Sequence, residues 1–445
     1  MKKIIFISAL LCAFISNAQE SEPSSLMSYG DLGVLFTGED NNGTARFRAM
    51  SGAFGALGGD LSAIEINPAG TAVFLKSEFS TSLNIRNQKN AVNYYGINTS
   101  LNDDYTTLSQ MGAVFVFKNH FSDWHNTAMG FNYSLARDFK NFWIADGNSG
   151  YATFIYDEDY DPNNPDVSDI YLNTDRQYFE NYTSGKNNKY TFSFASQYKD
   201  NLFIGASFNS HDLRFYQSAY LEEENYNDDG DRLPRYLSSS LEELWTSGYG
   251  FSFSLGLIFK PTDDLRLGLA YQSPVWYNLL EESFDNAGYL NGFYYELRSP
   301  SKYTASAAYI FGKKGLISLD YTFRNYSNIS LDPSRDFQQE NQYFDSALQG
   351  TSEVRVGTEW RVKQLSLRGG YHFQQSPYKN SISSDDLKGY SFGAGYSFGL
   401  VKLDFAYENS QQTGVYDFYA DYNEVNPANL DIDTSKYTIS LVFNI

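Results

Sequence analysis

Residues 251–272 read FSFSLGLIFKPTDDLRLGLAYQ. In the first half Phe251, Phe253, Leu255, Leu257 and Phe259 alternate with mostly small or polar residues. In the second half Leu265, Leu267, Leu269 and Tyr271 alternate with Arg266, Gly268, Ala270 and Gln272. Successive side chains of a strand point to opposite faces, so each half is a strand with one apolar face. Lys260-Pro261-Thr262-Asp263 leaves room only for a tight turn, which makes the pair an antiparallel hairpin. The pattern recurs outward from it. Met129, Phe131, Tyr133 and Leu135 alternate in one segment, and Leu365, Leu367 and Tyr371 in another. Val401, Leu403, Phe405 and Tyr407 follow, and Tyr437, Ile439, Leu441 and Phe443 close the chain.

Alternation alone also fits a water-soluble sandwich, and connection length separates the two. Short turns near Asp200, Lys260–Asp263, Gly312-Lys313-Lys314, Lys363 and Leu400 alternate with long polar segments. Those segments are 139–187, 213–246, 278–300, 328–350, 376–386 and 412–433. Long outer loops and short periplasmic turns are the pattern of an outer-membrane barrel, and a compact soluble domain does not need so many long loops. Counting back from the C-terminus predicts strands near 434–445, 401–411, 387–399, 364–375, 351–363, 314–327, 301–312, 264–277, 247–260, 201–212, 188–199, 126–138 and 109–118. The run 76–99 reads as one long strand bulged at Asn87-Gln88-Lys89-Asn90. The expected fold is thus all-β: a transmembrane antiparallel β-barrel of 14 strands over 76–445.

Composition agrees. The chain is 17% aromatic, with 37 Tyr and 35 Phe against 5 Trp, yet its mean hydropathy is −0.44. A barrel wall shows lipid one face and a polar lumen the other, with aromatics at both membrane interfaces. Lys2 and Lys3, the apolar run Ile4–Ile15 and Ser16-Asn17-Ala18 before Gln19 read as a signal peptide over 1–19. Leu11 stands where a lipoprotein would want a small residue before Cys12. Cys12 is the single cysteine, so a processed chain has no disulfide, zinc–thiolate site or cysteine nucleophile. The formal charge of −20 becomes more negative once Lys2 and Lys3 are removed, which excludes nucleic acid as a partner.

Residues 20–75 differ in kind. Within 45–75, ARFRAMSGAFGALGGDLSAIEINPAGTAVFL, Phe54, Leu57, Leu61 and Ile64 fall at helical spacing and Asn67-Pro68 ends the run. Two readings stand: a helix packed outside the barrel mouth, or a plug folded into the lumen. This segment resembles the FadL family of outer-membrane transporters for long-chain fatty acids and other hydrophobic molecules. Arg48 to Gly70, ending in Asn67-Pro68-Ala69, is similar to the family's hatch. Leu265-Arg266-Leu267-Gly268 through Tyr271-Gln272-Ser273-Pro274, Phe323-Arg324-Asn325-Tyr326, and Arg368-Gly369-Gly370-Tyr371 through Gln375-Ser376-Pro377 resemble later family motifs in order. The resemblance implies a hatch folded inside fourteen strands and passive, ligand-gated movement. It also implies sideways exit through a gap made by a kinked third strand. Here that strand is 126–138, with Gly130 its only glycine. Residues 20–44 are an extra polar lead, and Asn444-Ile445 replaces the family's aromatic terminus.

Two outer segments suit an apolar cargo. Residues 237–246, LSSSLEELWT, offer a capping box from Ser239 and Glu242 or Ser240 and Glu243, with Leu237, Leu241, Leu244 and Trp245 on one helical face. The next loop carries Leu279, Leu280 and Phe284. These faces either form a capture groove or pack on each other to close the mouth. Phe54, Leu57 and Ile64 either touch ligand or pack on the wall, and Asn67-Pro68, with Ala69 after it, is expected to pin the hatch to the first strand. Expected partners are fatty-acid-like hydrophobic molecules, outer-membrane lipid and the barrel-assembly machinery, with the protein a monomer in the bacterial outer membrane.

Other chemistry is weakly signalled. Asp157-Glu158-Asp159 and the run Asn225 to Asp231 are acidic, but Tyr236 stands where a calcium loop's closing acid belongs, so a solvated loop is the favoured reading. No G-x-S-x-G or H-E-x-x-H pattern appears, and neither a cofactor, a metal nor a catalytic residue is expected. The alternatives to a hydrophobic transporter are a general porin for small polar solutes and a heme-binding receptor using His211 or His372.

Overall fold

The computed structural model describes residues 25–119, 121–154, 171–227, 235–284, 288, 290–420 and 422–445. The signal segment, His120, the acidic run 157–159 and residues 228–231 of the second acidic run lie outside them. The strands are β1 (Glu78–Tyr94), β2 (Ile97–Lys118), β3 (Trp124–Asp138), β4 (Asn141–Gly147), β5 (Asn173–Tyr198) and β6 (Leu202–Tyr226). Next come β7 (Arg235–Phe259), β8 (Leu265–Gln272), β9 (Trp276–Phe284), β10 (Leu290–Arg298), β11 (Lys302–Phe311) and β12 (Gly315–Asn325). The set ends with β13 (Ser330–Asp332), β14 (Gly350–Val362), β15 (Leu365–Gln374), β16 (Leu387–Ser397), β17 (Val401–Tyr416) and β18 (Ala428–Asn444).

Four of these pairs are halves of one interrupted wall strand. β3 and β4 both pair with β5, and β8 and β9 both pair with β7. β10 and β11 face β9 and β8, while β12 and β13 face β11 and β10. The wall therefore has 14 strands, all antiparallel, and β1 closes the ring on β18 with Phe79 opposite Phe443. Closure leaves neither the first nor the last wall strand as an open edge. The alternation resolves as an inside-out molecule: Leu255, Leu257, Leu267 and Leu269 are exposed outward, whereas Ser252, Ser254, Asp320, Thr438 and Ser440 are buried inward.

The first hairpin departs from expectation. β1 ends at Tyr94, and Tyr95-Gly96, with φ of 45° and 85°, turns the chain straight into β2. The bulge lies at Ser82/Leu83 rather than at 87–90. The upper half of β2 shows Asn98, Asn102 and Asp104 outward, so it lacks the apolar face that marks a strand crossing lipid. The count of fourteen stands because 97–108 extends the strand expected at 109–118. The long polar segments behave likewise. β5, β6 and β7 run on far past their apolar outer rungs; above Tyr190, β5 turns Asn188, Lys186 and Ser184 outward. Residues 237–246 are thus part of β7 and not a helix, because their partner is an equally long β6 that pairs every rung from Tyr226 to Leu202.

Residues 25–74 pack against inward-facing wall residues. Helix α1 (Tyr29–Thr37) is capped by Ser28, whose hydroxyl accepts from the Asp31 N–H. Its Leu32 and Phe36 lie in one buried cluster with Phe215, Leu244, Tyr277, Leu279, Tyr295 and Leu297 of the wall. Helix α3 (Gln338–Ala347) adds Phe344; a side chain at Gly33 would meet that ring at 2.7 Å, so α1 and α3 touch through a glycine. Below α1 come the short helix α2 (Ala45–Ala49) and 3₁₀ turns at Leu61–Glu65 and Pro68–Val73. The single helix expected through Phe54 and Ile64 does not form. Its glycines break it, with Gly58 and Gly59 at φ of 59° and 64°, and wall contacts replace the helical ones.

Candidate functional site

Polar anchors hold the N-terminal segment in the lumen. Arg46 pairs with Glu359 at 2.8 Å, and Glu359 is shared with Arg368, which reaches Asp404 at 2.5 Å. The fully buried Arg48 meets Glu408, Asn84 and Thr438. The Asp320 carboxylate accepts from the Phe54 and Gly55 N–H groups, each at 2.9 Å. The Asn67 amide donates to Gly55 O at 2.8 Å and Leu257 O at 3.1 Å. It is pinned to β7, not to the first strand. Removing one partner of such a buried pair costs about 3–5 kcal/mol, because the other charge is left stranded.

Beside this segment the wall has a seam. β2 pairs with β3 only between residues 110–118 and 126–134. Past a register shift at Leu135/Arg137 and a break after Asp138, the third wall strand continues as β4, which pairs with β5 alone among the described strands. Its other edge is finished by side chains. Arg86 donates to Lys140 O, Asn90 donates to Phe142 O at 2.8 Å, and Thr99 donates to Ile144 O. Lower down, the Asp40 N–H donates to Ala136 O at 2.7 Å and the Asn42 amide to Leu135 O at 2.8 Å. The carbonyls of residues 135, 136, 140, 142 and 144 are thus satisfied without a ladder to β2. Across the seam Lys140 pairs with Asp103 at 2.6 Å, Lys186 donates to Thr107, and Arg86 and Lys140 sit over the Tyr105 ring at 4.6 and 4.7 Å. Side-chain closures of this kind can open without unzipping a sheet.

A cavity of about 60 Å³ lies between segment and wall, bordered by Asp40, Asn41, Asn42, Leu135 and Ala136 on the seam side. Opposite are Lys189, Lys302, Arg324 and Arg355. Lys302 bonds to Glu39, and Lys189 to Glu65 at 2.7 Å. The space is small and polar.

The model of the outer membrane protein transport protein family (OMPP1/FadL/TodX) matches residues 177–440, more than half of the chain. The chain belongs to this family. Members of the FadL/TodX family are outer-membrane transport channels for hydrophobic compounds, not enzymes. No curated protein sequence matches. Solved structures of the same fold include a FadL homologue of Pseudomonas aeruginosa, 16% identical, covering 91% of this chain and 99% of that one with a TM-score of 0.60. The Pseudomonas putida toluene transporter TodX is 14% identical, with coverages of 91% and 99% and a TM-score of 0.53. The Ralstonia pickettii toluene transporter TbuX is 15% identical, with coverages of 91% and 99% and a TM-score of 0.53.

Within this FadL/TodX barrel the expected site residues divide by strand parity. Leu244 and Leu279 point inward and are buried with Phe36. Leu241, Trp245, Leu280 and Phe284 lie on the outer face, where Trp245 packs on Tyr216 and Phe284 at 5.0 and 5.2 Å. A helical face would have grouped them; the strand separates them. Phe54 and Leu57 pack beside wall residues Ala308 and Leu316, and Ile64 packs on Val114 and Ala128. A side chain at Gly130 would come within 3.0 Å of the Ile64 methyl, so that glycine makes room for the segment while the bulge and break at 135–140 bend the strand. His211 is buried against Ser252 and Tyr277, and His372 bonds Glu353 at 2.8 Å. Sequence reading missed Glu39, Asp40 and α1. The Ser28-x-x-Asp31 cap ahead of apolar Leu32, Val34, Leu35 and Phe36 is the signal that marks the helix.

Proposed function

We propose that the protein passes hydrophobic molecules, with long-chain fatty acids as the cargo, into the outer membrane by passive movement. Cargo displaces residues 25–74, acting as a hatch, and leaves sideways through the β2–β4 seam. One observation carries the reading: the third wall strand loses its ladder to β2 at the height where Asp40 and Asn42 of the N-terminal segment cap its carbonyls. Moving that segment would therefore uncap the wall at Leu135 and Ala136, where the seam begins. The solved relatives named for toluene transport support an apolar cargo class. We assign first capture to the outward row of Leu241, Trp245, Leu280 and Phe284, where each methylene buried gains ~0.8 kcal/mol. Leu244 and Leu279 line the way in; Phe54, Leu57, Ile64, Asn67, Pro68 and Ala69 hold the hatch. The working unit is a monomer in outer-membrane lipid, inserted by the barrel-assembly machinery.

The test is to extract what co-purifies with the barrel and to compare uptake of labelled oleate by cells with and without the protein. The reading expects bound lipid-like molecules and protein-dependent uptake. Uptake of oleate that is independent of the protein, with passage of small polar solutes instead, rejects it in favour of a porin.

A further inference from the structure

The cavity beside the seam has a charge imbalance built into the barrel. The wall brings Lys189 from β5, Lys302 from β11, Arg324 from β12 and Arg355 from β14, against one wall carboxylate among the described lining residues, Glu353. Glu353 is already taken by Arg355 at 2.5 Å and His372 at 2.8 Å. Neutrality is completed from the N-terminal segment, by Glu39, Asp40 and Glu65. Lys189 is matched by Glu65. Lys302 is matched by Glu39, and Arg324 donates to Thr37 O at 2.9 Å and to the Tyr326 hydroxyl at 3.2 Å, two neutral oxygens. If the segment leaves, Lys189, Lys302, Arg324 and Arg355 remain facing the lumen with Glu353 alone among the described lining carboxylates to answer them, a preformed cationic cradle. That is costly in a low-dielectric site unless an anion arrives as the segment departs.

We propose that Glu39 is a built-in competitor: its carboxylate occupies an anion site made by Lys302, Lys189 and Arg324, and cargo with a carboxylate head takes its place. The inference rests on the transport reading above and names the cargo as a single-chain amphiphile with an ionised carboxylate. The cavity of about 60 Å³ holds water but no acyl chain, so head-group binding and departure of Glu39 are one event. Glu39 is followed directly by Asp40, which is bonded to Ala136 O at 2.7 Å and to Arg137 at 3.1 Å on the kinked strand. Exchange at Lys302 thereby pulls on the residue that closes the seam. A neutral hydrocarbon has no means of making this exchange.

The experiment measures binding of oleate, methyl oleate and an alkyl phosphate of equal chain length to the purified full-length barrel. It uses wild type, Glu39→Gln, Lys302→Gln and the Glu39→Gln/Lys302→Gln double variant, which leaves neither partner stranded. Heat-modifiable gel mobility confirms that each barrel is folded. Glu39→Gln should tighten oleate about tenfold and leave the ester unchanged, the scale of one charge-assisted bond. Lys302→Gln and the double variant should each show a smaller preference for oleate over the ester than Glu39→Gln does. Equal changes for acid and ester in Glu39→Gln, or an acid preference in the double variant as large as in Glu39→Gln, would overturn the proposal. So would a preference for the phosphate. Uptake of methyl oleate by wild-type cells separates the two claims: ester uptake without any acid selectivity defeats this inference alone, and absence of both uptakes defeats the transport reading.

Discussion

Phe36 projects from α1 into a nest of rings, edge-on to Phe139 at 5.6 Å and to Phe215 at 5.2 Å. It is a buried aromatic held by two wall strands and a helix. Phe36→Ala should cost about 3–5 kcal/mol of that packing. The barrel, zipped by its own ladders, should keep its heat-modifiable mobility while protease gains access to residues 25–74. Continued protection would show that α1 is held by something else. Glu39 and Asp40 make a second prediction. Burial raises the Glu39 carboxyl, but Lys302, Lys189 and Arg324 outweigh it and hold it well below its ordinary range. Asp40 is lowered in the same way against burial by Lys436, Arg137 and Arg86, helped by the Asp138 N–H. Carboxyls depressed in the folded state add stability above their unfolded value of about 4, and lose it only as pH falls through the lower folded values. The segment should therefore stay docked as pH is lowered from about 7 to about 5. Protease access appearing in that interval would contradict the pairing.

At the scale of elements, the seam depends on one extra residue. Ala136 is the bulged position between Leu135 and Arg137, opposite Asn188 and Asn187 of β5. Deleting Ala136 should restore the register and bring the third strand back toward β2. Uptake of labelled oleate should drop by at least about tenfold, the barrel still folding; unchanged uptake would move the exit elsewhere. The same elements show what the sequence discloses. Wherever a strand crosses lipid, as at Phe251 to Tyr271, the period of two is written in apolar side chains and the strand is legible. Where strands rise above lipid, as β2 does at Asn98 to Asp104, both faces are polar and period two disappears from view. Residues 237–246 deceive for a related reason: Leu241, Leu244 and Trp245 sit three and four apart by chance of two faces, and only the pairing with β6 shows them to be strand. Asn67-Pro68 was legible because a cap and a proline act locally. The Glu39–Lys302 contact was not, because its partners are 263 residues apart.

At the scale of the whole molecule, wall and N-terminal segment have separate sources of stability. The wall closes through backbone ladders, while the segment is held by apolar burial at the top and by charge pairs below. That division lets one part move while the other stays whole. Its first consequence is electrical. With the lumen filled, planar-bilayer recordings should show no large steady conductance, and a persistently open channel would favour a porin. The more direct measurement is a covalent lock. Asp40 and Ala136 are neighbours through a 2.7 Å backbone bond, and Cys12 is the sole native cysteine, so cysteines at 40 and 136 would tie the segment to the seam. Uptake of labelled oleate should stop when this pair is oxidised and return when it is reduced. Undiminished uptake through the oxidised barrel would contradict the account.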